Sequence, residues 1–198
     1  MMKQKLPISH RKGIAVLAVA LASLTFAGCT TTAPKDQATA TQQRNDINSH
    51  ADATLTRLYK SSPDARSLVQ RAKGVLIFPT VLSAGFVVGG EHGNGVLRVG
   101  GRNEGYYSTT SGSIGFQAGA QSKAIVLVFI TQDALDKFRH SNGWTVGADA
   151  TVAIANIGAN GRIDTNTAKE SVVGFVLNNA GLMAGVSLEG TKIEKKQL

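Results

Sequence analysis

Residues 85–105 read GFVVGGEHGNGVLRVGGRNEG, eight glycines in 21 positions. Glycine at that density either wraps a phosphate or lets strands bend and turn. A phosphate-binding loop of the Walker type needs Gly-Lys-Ser/Thr leading into a helix, and the chain has none. A dinucleotide fingerprint needs Gly-x-Gly-x-x-Gly between a strand and a helix. Here GNGVLR lacks the last glycine, and a strand-like run follows it. Glycine also recurs inside apolar, β-branched runs, at Gly85, Gly89, Gly115, Gly119, Gly147, Gly174 and Gly185. In such runs glycine suits bulges and tight bends, the devices that curl a sheet. The stretch therefore reads as sheet, with Asn94-Gly95 as a turn between two strands.

Working outward, VLIFPTVLSAGFVVGG, GVLRVGG, EGYYSTT, GSIGFQAGA and KAIVLVFIT follow one another at short spacing. That is the pattern of successive strands. Val126–Ile130 is unbroken apolar sequence and should lie centrally in the sheet. TQDALDKFRH predicts one short helix, with Thr131 as its cap and Leu135 and Phe138 facing inward. Further strands are expected in WTVGADATVAIA, KESVVGFVLNN and GLMAGVSLEG, with a turn at Asn160-Gly161.

Two helices precede the strands. Ile47, Ala51, Leu55 and Leu58 or Tyr59 recur at helical spacing. In SSPDARSLVQRAK, Ser62 is an N-cap and Pro63 the first helical residue. Asp64 complements the positive helix end, Ala65, Leu68, Val69 and Ala72 form the apolar stripe, and Gly74 should stop the helix. The expected fold class is α+β: a curled, mostly antiparallel, barrel-like sheet covered by two or three helices.

The N-terminus reads as a targeting signal. Lys3, Lys5, Arg11 and Lys12 precede an apolar run, Ile14–Leu24, which is too short to span a bilayer. LTFAGCTTT follows and resembles the lipobox of bacterial lipoproteins, placing small residues before Cys29, the single cysteine of the chain. The expected organisation is a signal peptide over 1–28, a flexible tether over 29–43 leaving the lipidated Cys29, and a folded domain over 44–198. A cysteine with no partner supplies no internal disulfide. Several acyl chains on one cysteine would hold the protein stably at a membrane. Thr30 after the cysteine points to the outer membrane, facing the periplasm.

The formal net charge is +8, half of it from the four leader cations. The remaining excess is local. Arg57, Lys60, Arg66, Arg71 and Lys73 stand against Asp64 alone between 57 and 73. Such a cluster suits an anionic lipid surface or a solvated helix face. Nucleic acid is not an expected partner of an exported chain. These five cations are the candidate headgroup-binding residues, and an envelope protein partner is the alternative.

Catalytic chemistry finds little foothold. Beyond residue 28 the histidines are His50, His92 and His140. Glu91-His92 invites a metal or acid–base reading, yet adjacent strand residues point to opposite faces. Gly-x-Ser-x-Gly does not occur. Asp149 could pair a cation at a sheet edge or anchor a polar core position. The expectation is a non-enzymatic protein with no cofactor and no metal.

AKGVLIFPTVLSAGFVVGGEHGNGVL (72–97), GSIGFQAGAQ (112–121), WTVGADATVA (144–153) and GLMAGVSLEG (181–190) resemble, in order, the signatures of the SYLF domain, also called the Ysc84 actin-binding domain. The resemblance covers roughly residues 50 to 192. It implies a lipid-binding module whose eukaryotic relatives bind phosphoinositides, partly through an amphipathic N-terminal helix that corresponds to Ile47–Lys60 here. Some relatives bind actin, which is not expected for a bacterial envelope protein.

Overall fold

The computed structural model describes residues 37–198 apart from 86–87, 115–118, 156–161 and 165. The signal peptide, Cys29, Gly115 and the turn expected at Asn160-Gly161 lie outside the described residues. The order of elements is α1 (Gln37–Ser61), α2 (Pro63–Arg71), β1 (Gly74–Gly85), β2 (Val88–Val99), β3 (Arg102–Ile114), β4 (Gly119–Phe129), α3 (Gln132–His140), β5 (Trp144–Thr145), β6 (Ala153–Ile154), β7 (Val172–Asn178), β8 (Gly181–Leu182) and β9 (Lys192–Lys196). The strands form one strongly curled half-barrel sheet in the order β5-β9-β3-β2-β1-β4-β7-β6, with β8 beside β7. The expected α+β class holds. Between named strands, only β6 and β7 pair in parallel.

The three helices follow their local signals. Ser62 is extended (φ −151°) and its hydroxyl accepts from Ala65 N at 3.3 Å, with Pro63 opening α2. Thr131 does the same for Ala134 N at the start of α3. α1 buries Ala51 and Leu58 and half-buries Ile47, Leu55 and Tyr59, the stripe expected from spacing. It begins at Gln37, so residues 37–43, expected in the tether, form its first turns, and Ala40 is buried. α2 ends at Arg71, where the Ala72 N–H returns to Val69 O, while Gly74 opens β1 instead of stopping the helix.

Apolar side chains fill both faces of the sheet, because strands covered on two sides read as unbroken apolar runs. On one face Leu76, Phe78, Leu97, Leu127 and Phe129 pack against Leu135 and Phe138 of α3 and against Trp144. The ring of Phe138 lies 4.9–5.5 Å from those of Phe129, Tyr107 and Trp144. On the other face Val75, Ile77, Val96, Val126, Val128 and Phe175 pack against Leu58, Ala65 and Leu68 of the helical pair. Val126–Phe129 lies in β4, buried between β1 and β7, as its composition predicts.

The glycine-rich stretch is sheet, but the turn is not where Asn94-Gly95 suggests. Both residues lie inside β2, with Asn94 opposite Thr80 and Gly95 opposite Tyr107. The reversal occurs at Gly100-Gly101, whose φ of 57° and 78° make a two-residue hairpin turn matched to sheet twist. The reason is the neighbouring strand. β1 carries a bulge between Ile77 and Thr80 around Pro79, which has no N–H for the ladder. The bulged backbone presses on β2. A Cβ at Gly95 would stand 2.5 Å from Phe78 Cδ1 and collide with Ile77 O, and one at Gly93 would stand 2.7 Å from Thr80 O.

The C-terminal third departs most from expectation. WTVGADATVAIA forms two short strands separated by a turn, in which Gly147 has φ 89° and the Asp149 carboxylate accepts from Thr145 N at 2.6 Å. Asp149 therefore holds the turn and is exposed, not a polar core anchor, and no cation pairs with it among the described residues. GLMAGVSLEG contributes only β8, and Gly185 (φ 70°) lies in the irregular segment beyond it. The polar TKIEKKQL instead supplies β9, between β3 and β5, with Ile193 buried.

Candidate functional site

A cleft of about 300 Å³ opens between the helical pair and the β2–β3 turn. Leu55 and Tyr59 of α1, Val69 and Ala72 at the end of α2, and Val75 of β1 give it apolar walls. Arg98 and the Gly100-Gly101 turn form its rim, and nothing would meet a Cβ at either glycine within 4 Å. The Arg66 guanidinium lies 5.1 Å from the Tyr59 ring centroid, a cation–π contact. Burial raises the Tyr59 phenol above its ordinary pKa, an effect partly opposed by Arg66 and Arg98. Arg98 is held from three directions: Asp52 at 2.5 Å, Asn103 Oδ1 at 3.1 Å and the Asn48 carbonyl at 3.3 Å.

The five cations singled out from sequence do not converge. Arg66 reaches the cleft through Tyr59. Arg57 donates to the carbonyl of Asn178, at the end of β7. Lys60, Arg71 and Lys73 are exposed, and the Lys73 backbone joins the sheet through Phe129 O at 2.8 Å. Sequence reasoning missed Arg98 and Tyr59 as site residues. Tyr59 was marked only as a core-facing position. Nothing local points Arg98 at a residue 46 positions earlier; the register of the β2–β3 hairpin puts it there.

A second polar assembly sits on the far half of the sheet. Glu91 of β2 accepts from Ser83 Oγ at 2.9 Å, Ser111 Oγ at 3.0 Å and Lys123 Nζ at 2.8–2.9 Å, drawing on all four long strands. Both charged side chains are 15% exposed. Burial pushes the Glu91 carboxyl upward, but Lys123 and the two hydroxyls outweigh it and hold the pKa below the usual carboxylate value. A carboxylate so held stays ionised at neutral pH and is a poor proton acceptor. His92, its neighbour, contacts Thr110 Oγ1 at 3.4 Å and does not join Glu91. His140 Nδ1 lies 2.7 Å from the Asp136 carbonyl, and His50 offers its carbonyl to Thr54. No cluster of three or more His, Cys, Asp or Glu among the described residues could hold a metal ion.

A curled half-barrel sheet thus carries paired helices over one face, a third helix over the other, and a small cleft with Arg98 at its rim. Residues 110–197 match the Ysc84 (SYLF) family model, described as Las17-binding protein actin regulator. It is similar to the human SH3 domain-containing YSC84-like protein 1, 30% identical over 137 residues, which cover 66% of this chain and 40% of the relative. The mouse protein of that name is 28% identical over the same length. LAS seventeen-binding protein 3 of Saccharomyces cerevisiae is 29% identical over 138 residues, covering 66% of this chain and 30% of the yeast protein. The chain thus spans well under half the length of these relatives. The family-model match begins within β3, so α1, α2 and the cleft lie outside it.

Proposed function

We propose that this chain is a non-enzymatic module that binds anionic lipid headgroups, anchored through Cys29 in the bacterial envelope, at the outer membrane and facing the periplasm. The observation that carries the reading is the cleft between the helical pair and the sheet. Apolar walls from Leu55, Val69 and Val75 suit an acyl or glycerol portion. Arg98 at its rim, Arg66 stacked on the Tyr59 ring that lines it, and the exposed Lys60, Arg71 and Lys73 nearby in sequence suit a phosphate. The leader-like residues 1–28 and the lipobox-like LTFAGC support the anchor. Las17 binding is what the yeast relative's name records of that protein. An exported chain would not meet actin regulators, so no actin partner is proposed here.

The test is vesicle flotation with a chain beginning at Lys35, the start of the compact unit that holds α1 intact. Phosphatidylglycerol vesicles should carry the protein at low salt and release it at high salt, while phosphatidylcholine vesicles should not carry it. Indifference to anionic vesicles at low salt would sink the headgroup reading. It would leave a structural envelope lipoprotein whose partner is another protein.

A further inference from the structure

We propose that Asp52 is a competitor built into the cleft. Its carboxylate holds Arg98 and must release it before an anionic phosphate takes its place, so Asp52 sets how tightly the cleft binds. The inference rests on the headgroup reading of that cleft. Among the described residues that line it, Arg98 is the only charged one. Its side chain is 15% exposed, and strand register sets it opposite Val75 of β1 and Asn103 of β3. Every nitrogen of its guanidinium already donates: Nη1 to Asp52 Oδ1 at 2.5 Å, Nε to Asn103 Oδ1 at 3.1 Å and Nη2 to the Asn48 carbonyl at 3.3 Å. A two-pronged contact with phosphate uses two neighbouring nitrogens and therefore meets these acceptors.

The three acceptors differ in how they can leave. The Asn48 carbonyl is helix backbone. The Asn103 side chain is fixed from its other end, where its amide donates to Asn48 Oδ1 at 2.9 Å, and the Asn48 amide in turn donates to the Tyr106 hydroxyl at 3.0 Å. The Asp52 carboxylate has no second partner among the described residues, and its side chain is 67% exposed, so it can swing into water. Asp52 is also the acceptor that carries charge. With it in place, the guanidinium is neutralised at 2.5 Å and attracts a second anion only weakly. A tethered carboxylate acts at an effective concentration on the order of millimolar or higher. Dilute free phosphate therefore loses the exchange, while a surface dense in headgroups wins it.

The experiment titrates the full chain by calorimetry with dihexanoyl phosphatidylglycerol and, separately, with inorganic phosphate. Cys29→Ser is the common background, so that no acyl chain at residue 29 competes for the lipid. Asp52→Asn keeps an oxygen acceptor for Arg98 and removes the charge. It should bind the lipid about threefold tighter or more than the Cys29→Ser parent. Asp46→Asn removes the same charge from an exposed position about 9 Å earlier along α1 and should bind as the parent does. Adding Arg98→Gln to Asp52→Asn should abolish the gain. If Asp52→Asn lowers the melting temperature, Asp52→Ala, which suits a helix, carries the same comparison. A gain with inorganic phosphate as well as with lipid supports the exchange at a bare phosphate. A gain confined to the lipid supports it at a headgroup whose glycerol and acyl parts also bind. Lipid binding by the parent with no gain in Asp52→Asn, an equal gain in Asp46→Asn, or a gain that survives the loss of Arg98 would overturn the competition and leave the headgroup reading standing. Binding of neither probe by any of the chains would overturn both.

Discussion

Glu91 and Lys123 stand on strands that are not neighbours, β2 and β4, and their side chains meet at 2.8 Å across β1. The pair ties the outer half of the four long strands together where neither apolar core reaches. The folded Glu91 pKa lies below the unfolded one, so the fold favours the carboxylate. Its contribution is full above the unfolded value and is lost as pH falls through the folded value. Glu91→Gln should therefore melt lower at pH 7, by about 2 kcal/mol, less than the roughly 3–5 kcal/mol for breaking a fully buried pair, because the amide can keep its serine contacts. The gap between wild type and variant should narrow steadily as pH drops below about 4.5. A gap independent of pH would mean that the charge at Glu91 adds nothing to stability.

Gly95 should tolerate no side chain. The backbone of Ile77 and the ring of Phe78 occupy the space a Cβ would need. Gly95→Ala is expected to cost about 2 kcal/mol or more through forced backbone shifts. Gly90→Ala and Gly112→Ala meet nothing within 4 Å and should melt near wild type. Urea unfolding of the three variants side by side checks the order. Equal midpoints would refute the close approach of β1 and β2.

Arg71 and Lys73, exposed at and just beyond the end of α2, provide a cleaner test of charge than the ion-paired Arg98. Each is worth about 1 kcal/mol near an anionic surface, so Arg71→Ala with Lys73→Ala should weaken vesicle binding tenfold or more with an unchanged melting temperature. Arg57→Ala should matter less, since its guanidinium is turned to the Asn178 carbonyl. Arg98 differs from these exposed cations. It lies at the cleft rim and is tied to α1 through Asp52 and Asn48, so Arg98→Ala should lower both binding and stability. Titration of labelled vesicles against each variant gives the ranking. Full binding by the Arg71/Lys73 double variant would remove those residues from the site.

For the anchor, Cys29→Ser should leave the chain unprocessed or free of the membrane and should abolish labelled palmitate incorporation. Equal labelling of wild type and variant would disprove acylation at this position.

The helices were legible because their signals are local. Ser62, Pro63 and Asp64 sit within three residues of one another, and Leu135 and Phe138 repeat with the helical period. The central strand was legible because a run buried on both faces needs no alternation. Asn94-Gly95 misled because a turn signal reports what two residues permit. Whether the chain turns there depends on the β1 bulge packed against them, a contact between segments some fifteen residues apart. β9 was missed for the converse reason. TKIEKKQL has one buried apolar residue and no period, and it is a strand because β3 needs a neighbour.

Composition and local pattern were enough to establish a glycine-bent sheet with capped amphipathic helices, and to exclude a phosphate loop. Those properties follow from backbone freedom, capping and periodicity, each confined to a few consecutive residues. The cleft and the Glu91–Lys123 pair came only with the folded chain. Each joins residues from separate elements, and the distance between them is set by ladder register and by the curl of the sheet. A one-residue slip in either would move Arg98 off α1 and turn Glu91 to the opposite face.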